Sequence, residues 1–378
     1  MSEKHGKFGI IVSGGPAPGI NTVTASVVFT ACDAGYEVVG FQHGMRGLIE
    51  QGVETAIELT PKSVAKIQAD GGSILRTSRF NPFSNKENQK KLIDTVKAAG
   101  IDKLVLIGGE GTAFLSNQIN KLNCGISVVH VPKTIDNDLI LPNEYPSFGF
   151  ETARHVGSEL MRTLMTEART TNRWFVVKTM GRNAGFLALG LGVSCGASVT
   201  VIPEQFDQKI TLEDIVDVIY PSIIKRNNMG FFHGTVVLAE GLIDILDEDR
   251  VVQIEDAPRD EIGRLNFSEV RLEDLVVKAL KNRIKKENLS NIFKGENIGY
   301  VLRCADPIPF DVEYTKFLGY GAVKFLMAGK SGIMVVRNDD KLDYVELDTM
   351  ADENGRIRSR QVDINSDFYR VASNFMIK

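Results

Sequence analysis

Short runs of apolar, β-branched residues recur along the chain. Most of these runs are apolar throughout instead of alternating with polar residues, which is typical of strands buried on both faces of a sheet. The predicted strands are FGIIVS at 8–13, EVVGF at 37–41, KLVLI at 103–107, SVVHV at 127–131, WFVVK at 174–178, TVVLA at 235–239 and GIMVV at 332–336.

Helix-length segments separate several of these strands. Their apolar residues recur three or four positions apart, as at Val156, Leu160 and Leu164, which is the period of an amphipathic helix. Strands that alternate with helices predict βαβ units and a parallel sheet, so we expect an α/β protein. The polar stretch at 245–264 predicts a charged surface excursion.

Composition excludes several classes of protein. The 378 residues, 43% hydrophobic and 24% charged, can bury a large core, and this length favours two domains. A net charge of -4 and a pI near 5.9 argue against nucleic acid or an anionic membrane as a partner. No apolar run is long enough for a membrane span and no signal peptide is evident, so we expect a cytoplasmic protein.

Two predicted strands run directly into glycine-rich turns. The first strand is followed by GGPAPG at 14–19, and KLVLI is followed by GGEGT at 108–112. Each turn precedes a predicted helix, whose N-terminal N–H groups attract phosphate. Neither turn has the ending of a P-loop or the spacing GxGxxG. Because open α/β sheets bind ligands at the carboxyl ends of their strands, we expect the two turns to share one phosphate site.

The segment PKTIDND at 132–138 carries the candidate chemistry. Thr134, Asp136 and Asp138 alternate, so an extended chain would project all three side chains to one side. A carboxylate there suits a general base for an alcohol, and a second carboxylate, with Glu110, suits Mg²⁺. The alternative, an Asx-type turn with no catalytic role, stays open for this segment alone.

Three motifs together resemble the phosphofructokinase family, which transfers a phosphoryl group to the 1-hydroxyl of fructose 6-phosphate. They are GGEGT, PKTIDND and TMGRNAGFLALG at 179–190, and the resemblance runs from about Gly9 to about Asp311. GGEGT alone is weak, because NAD kinases and lipid kinases share its pattern. TIDND followed by MGR at this distance is highly specific.

The resemblance implies roles on the donor side of the reaction. Asp136 would be the general base, Thr134 would support the transferring phosphoryl group, and Lys133 lies beside them. Mg²⁺ would be held by Glu110 and Asp138. The residues implied to line the donor phosphates are Gly15, Arg79, Gly109, Gly111 and Thr112.

The resemblance also implies a sugar-phosphate pocket. Its residues would be Thr134, Asp136, Met180, Gly181, Arg182, Glu240, Tyr300 and Arg303. Arginine suits a terminal phosphate because a guanidinium can hold two oxygens. Core packing would explain Tyr300 equally well, and a surface or capping role would explain Arg79. Arg173 and Lys294 match basic residues that reach the sugar phosphate from a neighbouring subunit, which implies a homodimer or homotetramer.

The implied fold has two Rossmann-like three-layer α/β/α domains with mainly parallel sheets and an active site in the cleft between them. The donor-binding domain would comprise residues 1–147 and about 302–350. The domain that binds fructose 6-phosphate would comprise about 148–301 and 351–378.

The identity of the phosphoryl donor stays open between ATP and pyrophosphate. Gly111 favours ATP, since pyrophosphate-dependent members commonly have aspartate there and a carboxylate would repel the α-phosphate of a nucleotide. Lys133, Leu115 and the sequence GGPAPGIN favour pyrophosphate. We expect an ATP-dependent enzyme, with the pyrophosphate-dependent one as the alternative. A non-catalytic phosphate-binding homologue and activity on sedoheptulose 7-phosphate are further alternatives.

Overall fold

The computed structural model describes residues 6–247, 270–353 and 357–377. The chain forms two compact units. The first comprises Met1–Ile135, Leu139–Ala153 and Leu302–Arg360, and the second comprises Asp136–Asp138, Arg154–Val301 and Gln361–Lys378. Most of the predicted surface excursion at 245–264 lies outside the described residues.

The first unit is built on an eight-stranded sheet. Its strands are β1 (Lys7–Val12), β2 (Glu37–Phe41), β3 (Ala56–Leu59), β4 (Lys103–Gly108), β5 (Ser127–Thr134), β6 (Phe148–Gly149), β11 (Ile333–Asn338) and β12 (Lys341–Glu346). They lie in the order β12-β11-β5-β4-β1-β2-β3, with β6 beside β5. Pairing is parallel except between β2 and β3 and between β11 and β12, so the edge strands run antiparallel to their neighbours.

Helices cover both faces of this sheet. They are α1 (Ile20–Asp33), α2 (Gly44–Glu50), α3 (Pro61–Val64), α4 (Lys86–Ala98), α5 (Glu110–Lys121), α10 (Pro309–Met327) and α11 (Leu347–Met350). Ile10 and Val12 of β1 pack into one apolar core with α1 and α10, whereas Ile11 packs into another with α2, α4 and α5. Successive strand residues point to opposite faces, and both faces are dry, which is why β1 is apolar throughout.

The second unit contains a four-stranded parallel sheet in the order β10-β7-β9-β8. Its strands are β7 (Arg173–Thr179), β8 (Val199–Val201), β9 (Gly234–Ala239) and β10 (Ile292–Ile298). The helices that contribute to this unit are α6 (Phe150–Thr171), which begins in the first unit, α7 (Phe186–Cys195), α8 (Leu212–Asn228), α9 (Leu272–Lys286) and α12 (Asp367–Phe375). Short 3-10 segments occur at Gly52–Thr55, Pro82–Ser84, Pro142–Glu144, Pro203–Gln205, Glu240–Ile245 and Tyr300–Leu302.

All the predicted strands are present, and the prediction of an α/β fold with mainly parallel sheets is confirmed. Helix α6 also forms where the 3.6-residue period predicted it. However, Leu160 of the predicted apolar face is largely exposed, and the buried positions of α6 include the small Ala153 and Ala168. No helix among residues 6–247, 270–353 and 357–377 is long and apolar enough to cross a membrane.

Candidate functional site

The glycine-rich turns of the first unit follow neighbouring parallel strands. β4 pairs with β1 on one side and with β5 on the other, so the carboxyl ends of all three strands lie at one edge of the sheet. The turn at 14–19 follows β1, the turn at 109–112 follows β4, and β5 ends at Thr134. Sequence analysis predicted this shared edge for the two glycine turns, and the strand order confirms it.

Three cationic side chains surround Gly15. The ammonium group of Lys133, a residue only 3% exposed, donates a hydrogen bond to the carbonyl oxygen of Gly15. A Cβ placed on Gly15 would lie 3.4 Å from Nη2 of Arg79 and 3.4 Å from Cζ of Arg303. Arg303, which the resemblance assigned to the sugar-phosphate pocket, therefore lies in the first unit beside two residues predicted to bind the donor. We call Gly15, Arg79, Lys133 and Arg303 the donor cluster.

The segment that carries Arg79 is tied to the first glycine turn by its backbone. Gly14 donates its N–H to the carbonyl of Ser78 at 3.0 Å, and the hydroxyl of Thr77 donates to the carbonyl of Gly14 at 2.7 Å. These bonds hold Arg79 at the turn even though its side chain is exposed. In the described part of the chain Arg79 lies outside the helices, two residues before Asn81, which caps the 3-10 segment Pro82–Ser84.

The second glycine turn places Glu110 at the start of α5, with Gly109 as the N-cap residue. Thr112 is buried, and its hydroxyl occupies the space where a side chain on Gly108 would lie, so Gly108 is needed for packing. Gly111 differs, because a Cβ added there would meet nothing within 4 Å. The absence of a side chain at Gly111 therefore has no packing reason within the chain.

The TIDND segment is not extended as the alternation assumed. β5 ends at Thr134, the chain bends at Ile135 and Asp136, and Asn137 adopts a left-handed conformation with φ of 57°. The expectation that Thr134, Asp136 and Asp138 project to one side of a strand is thus wrong. All three are nevertheless buried, with exposures of 8%, 6% and 6%, and such burial is unusual for the two carboxylates in a simple surface turn.

The predicted sugar-phosphate residues of the second unit gather at the carboxyl ends of adjacent strands. Met180, Gly181 and Arg182 follow β7, Glu240 follows β9, and Tyr300 closely follows β10. The carboxylate of Glu240 accepts a hydrogen bond from the backbone N–H of Arg182 at 2.9 Å. Arg182 Nη1 lies 3.9 Å from Asp138 Oδ2, which brings the guanidinium of the MGR loop to the last carboxylate of TIDND.

Two further pocket residues of this unit can be placed. A Cβ on Gly299 would lie 3.3 Å from Cε of Met180, so the Met180 side chain extends over the end of β10. Tyr300 is 79% exposed, which rules out core packing as its role.

Arg173 and Lys294 lie elsewhere in the same sheet. Arg173 begins β7, and Lys294 lies on the neighbouring strand β10 in register with Phe175. Arg173 pairs with Glu167 at 3.6 Å. Since a strand rises about 3.3 Å per residue, Arg173 is roughly 20 Å from the carboxyl end of β7. One chain therefore does not bring Arg173 to its own MGR loop.

The ionisable groups around these sites are perturbed by burial. His130 of β5 is fully buried, and burial, followed by the charge of Lys133, lowers its pKa to about 3. Its Nδ1 lies 3.4 Å from the hydroxyl of Ser116, which in turn donates to the carbonyl of Thr112. A neutral His130 thus packs beneath the second glycine turn. In the second unit, burial and then the Glu240 carboxylate raise the pKa of Asp244.

The carboxylates fit the binding mode that Mg²⁺ prefers. Among the described residues, no group of three or more His, Cys, Asp or Glu side chains could enclose a metal. Mg²⁺ is commonly held by one or two carboxylates together with water and substrate phosphates instead of a full protein cage. Asp138, buried at the end of TIDND, and Glu110, at the N-terminus of α5, offer single hard oxygen ligands of this kind.

Several residues that fix the backbone around the donor cluster were not predicted from the sequence. Asn21 of α1 and Asp306 contact the backbone of residues 70–74, and His130 lies under α5. No local pattern distinguishes these side chains, because each acts on backbone groups far away in sequence. Only the proximity of DPIPF to the arginine of YVLRC could have drawn attention to Asp306.

Comparisons with known proteins agree on one family. A family model described as phosphofructokinase matches residues 7–326. The pyrophosphate–fructose 6-phosphate 1-phosphotransferase of Thermotoga maritima is 44% identical, over 98% of this chain and 90% of its own length. The protein of the same name from Naegleria fowleri is 42% identical, over 98% of this chain and 88% of its own length. ATP-dependent 6-phosphofructokinase 3 of Streptomyces coelicolor is 31% identical, over 90% and 93%.

Solved structures support the same fold. A phosphofructokinase from Saccharomyces cerevisiae superposes with a TM-score of 0.72 at 22% identity, covering 90% of this chain. This chain spans only 45% of the yeast chain. A pyrophosphate-dependent phosphofructokinase from Marinobacter aquaeolei gives a TM-score of 0.71 at 19% identity, covering 99% of this chain and 88% of its own. At these identities the similarity establishes the fold alone.

Proposed function

Because the chain belongs to the phosphofructokinase family, we propose that it is a pyrophosphate-dependent fructose-6-phosphate 1-phosphotransferase. It transfers a phosphoryl group from pyrophosphate to the 1-hydroxyl of fructose 6-phosphate, giving fructose 1,6-bisphosphate and orthophosphate. The sequence led us to expect ATP as the donor, with pyrophosphate as the alternative. The relatives named above favour that alternative.

The donor cluster is the main observation in favour of pyrophosphate, a compact polyanion, as the donor. Lys133 reaches the carbonyl of Gly15, and Arg79 and Arg303 lie against the same glycine. Pyrophosphate has no nucleoside, so its binding energy must come from phosphate contacts alone. Three cations and the N–H groups of a glycine turn supply contacts of that kind. The two relatives above 40% identity also bear the name of a pyrophosphate enzyme.

Asp136 acts as the general base in this proposal. Its carboxylate accepts the proton of the 1-hydroxyl as the hydroxyl oxygen attacks the phosphorus atom. A new oxygen–phosphorus bond forms, and the bridging oxygen of pyrophosphate leaves with orthophosphate. The donor cluster neutralises the charge that gathers on the phosphoryl oxygens and the leaving group, which is the main contribution a protein makes to phosphoryl transfer.

The acceptor is held by the loops at the carboxyl ends of β7, β9 and β10. Arg182 contributes a guanidinium for phosphate, and Glu240, with its carboxylate bonded to the Arg182 backbone, suits the hydroxyl groups of the sugar. Met180 and Tyr300 supply apolar surface against the sugar ring. Arg303, beside Gly15, is assigned here to the transferring phosphoryl group.

Mg²⁺ is the implied cofactor, with Asp138 and Glu110 as its protein ligands. When bound, it neutralises phosphate charge and fixes the orientation of the donor. Arg173 and Lys294 are assigned to the sugar phosphate of a neighbouring subunit, since Arg173 begins β7, roughly 20 Å from the end that carries the MGR loop. The enzyme is accordingly a homo-oligomer in this proposal.

ATP is the second candidate donor, and Gly111 favours it. A Cβ on Gly111 would meet no atom of the described residues within 4 Å, and this open space suits a larger donor. The Streptomyces coelicolor relative, at 31% identity, is named as ATP-dependent. The higher identity of the pyrophosphate relatives and the donor cluster make pyrophosphate the better supported donor.

A coupled assay tests the proposal. Purified protein is supplied with fructose 6-phosphate and Mg²⁺ and with either pyrophosphate or ATP, and fructose 1,6-bisphosphate is measured through aldolase. We expect turnover with pyrophosphate and little with ATP. Turnover with ATP alone would support the second candidate, and no turnover with either donor would support a non-catalytic homologue.

A further inference from the structure

The backbone of Gly71 is a junction between three segments of the first unit. Asn21, in the first turn of α1, donates from Nδ2 to the carbonyl of Gly71 at 3.1 Å and to that of Asp70 at 3.3 Å. Its Oδ1 accepts the N–H of Ile74 at 2.9 Å. Asn21 is only 3% exposed, so all these bonds are largely protected from water. The helix that follows the first glycine turn therefore fixes residues 70–74.

The backbone N–H of Gly71 is bound by the segment that carries Arg303. The N–H of Gly71 donates to Oδ1 of Asp306 at 2.8 Å. A Cβ on Gly71 would overlap the carbonyl oxygen of Cys304 and lie 2.7 Å from that of Ala305. Glycine is thus required at this position because two backbones pass each other without room for a side chain.

The junction connects the two arginines of the donor cluster. Arg79 lies eight residues after Gly71 in the chain, and Arg303 lies three residues before Asp306. Both guanidinium groups lie against Gly15. We infer that Asp306, through its bond to Gly71, is a positioning residue that sets Arg303 against Gly15 and so tunes the affinity for the donor phosphates. This inference rests on the proposed function.

Asp306 has a different role from the residues that bind Arg79. Thr77 and Ser78 attach the Arg79 segment directly to Val12 and Gly14 of the first turn. Asp306 instead lies three residues after Arg303 in the chain, and its carboxylate accepts a hydrogen bond from the backbone N–H of Gly71.

Two substitutions at Asp306 separate position from charge. Asp306→Ala removes the acceptor for the Gly71 N–H, whereas Asp306→Asn removes the charge but keeps an acceptor oxygen of the same shape. The net contribution of one hydrogen bond is about 0.5–1.5 kcal/mol. We therefore expect Asp306→Ala to raise the KM for pyrophosphate about three- to tenfold. The KM for fructose 6-phosphate should stay nearly unchanged, and Asp306→Asn should restore wild-type values.

Asp70→Ala is the matched control. Asp70 is an exposed aspartate in the same loop, and the contact that it supplies to the junction comes from its backbone carbonyl. Its removal changes the net charge as Asp306→Ala does but should leave the KM for pyrophosphate at the wild-type value. Gly71→Ala, which forces the two backbones apart, should raise the KM for pyrophosphate more than Asp306→Ala. Thermal unfolding of each variant establishes that the fold persists.

Binding measured without turnover distinguishes the role of Asp306 from the proposed catalytic function. Isothermal titration of Mg²⁺–pyrophosphate into each protein should show weaker binding for Asp306→Ala and wild-type binding for Asp306→Asn. Equal binding by all Asp306 variants, or equal weakening by Asp70→Ala, would overturn the inference. A wild-type protein that binds pyrophosphate but lacks turnover would overturn the proposed function while leaving the role of Asp306 supported.

Discussion

Glu240 and Arg182 are joined by a hydrogen bond in which the carboxylate accepts the backbone N–H at 2.9 Å. The bond holds an unusual backbone, since Gly181 has φ of 153° and Arg182 has φ of 50°. A non-glycine residue with positive φ is uncommon and costs energy unless its surroundings fix it. Glu240 therefore fixes the backbone conformation from which the Arg182 guanidinium projects, in addition to the role proposed for it with the sugar.

Replacing Glu240 should impair use of the sugar more than use of the donor. Glu240→Ala removes the acceptor that fixes Arg182, so we expect the KM for fructose 6-phosphate to rise about tenfold or more, as for loss of a charge-assisted hydrogen bond of about 1.5–3 kcal/mol. Glu240→Gln keeps an acceptor oxygen and should lose less. Initial-rate kinetics with each substrate varied in turn measure the split. Equal increases in both KM values would refute a specific role on the sugar side.

Removing the proposed base should slow the chemical step. Asp136→Asn keeps the size of a side chain that is only 6% exposed but cannot accept a proton. We expect kcat to fall about 10²- to 10⁴-fold, the usual contribution of general base catalysis, with KM values close to wild type. Asp244→Asn, at an exposed aspartate outside the proposed mechanism, serves as the control. A wild-type kcat in Asp136→Asn would assign the base to another residue.

Gly111 provides a test of donor choice that does not disturb folding. Because a side chain at this position meets nothing within 4 Å, Gly111→Asp should fold normally. We expect the variant to retain turnover with pyrophosphate and to lose any residual turnover with ATP, since the carboxylate would repel the α-phosphate of a nucleotide. Gly108→Ala is the contrasting variant, because its side chain overlaps Thr112 and should lower the melting temperature. Unchanged ATP kinetics in Gly111→Asp would contradict this view of the site.

His130 should make the protein sensitive to acid. Its pKa is about 3 in the folded protein, where it is buried beside Lys133, against an ordinary value of 6.5 in the unfolded chain. The unfolded chain therefore binds a proton that the folded protein does not, so stability is complete above about pH 6.5 and is lost as the pH falls toward 3. At pH 5 the loss due to His130 should be on the order of 2 kcal/mol.

Denaturant unfolding at pH 7 and pH 5 measures this effect. His130→Gln removes the titrating group, so the variant should lose less stability between the two pH values than the wild type. His155→Gln, at an exposed histidine, should behave as the wild type. An identical loss in all three proteins would mean that other groups cause the acid sensitivity.

The sequence predicted the central strands because both of their faces are dry. β1, β4 and β9 are buried along nearly their whole length, and a continuous apolar run was enough to identify them. β3, β6, β8, β10 and β12 were missed, because they lie at sheet edges, span only two or three residues, or mix exposed with buried residues. In β10, only Phe293 and Ile298 are buried, and such a pattern resembles a loop.

The site was predictable where glycine turns follow strands, but the geometry of its side chains was not. The bend at Asp136 and the left-handed Asn137 depend on the local backbone, which alternation of residue types does not determine. The position of Arg303 depends on contacts between residues far apart in the chain, as in the bond from Gly71 to Asp306, which are separated by 235 positions. No local pattern encodes such contacts.

A competition between pyrophosphate and ATP tests which of the two is the phosphoryl donor. Wild-type protein is incubated with fructose 6-phosphate, Mg²⁺ and equal concentrations of pyrophosphate and ATP, and the phosphorus-containing species are followed by ³¹P NMR spectroscopy. We predict that the pyrophosphate signal is replaced by those of orthophosphate and the sugar 1-phosphate group while ATP persists. Conversion of ATP to ADP with pyrophosphate intact would contradict the account.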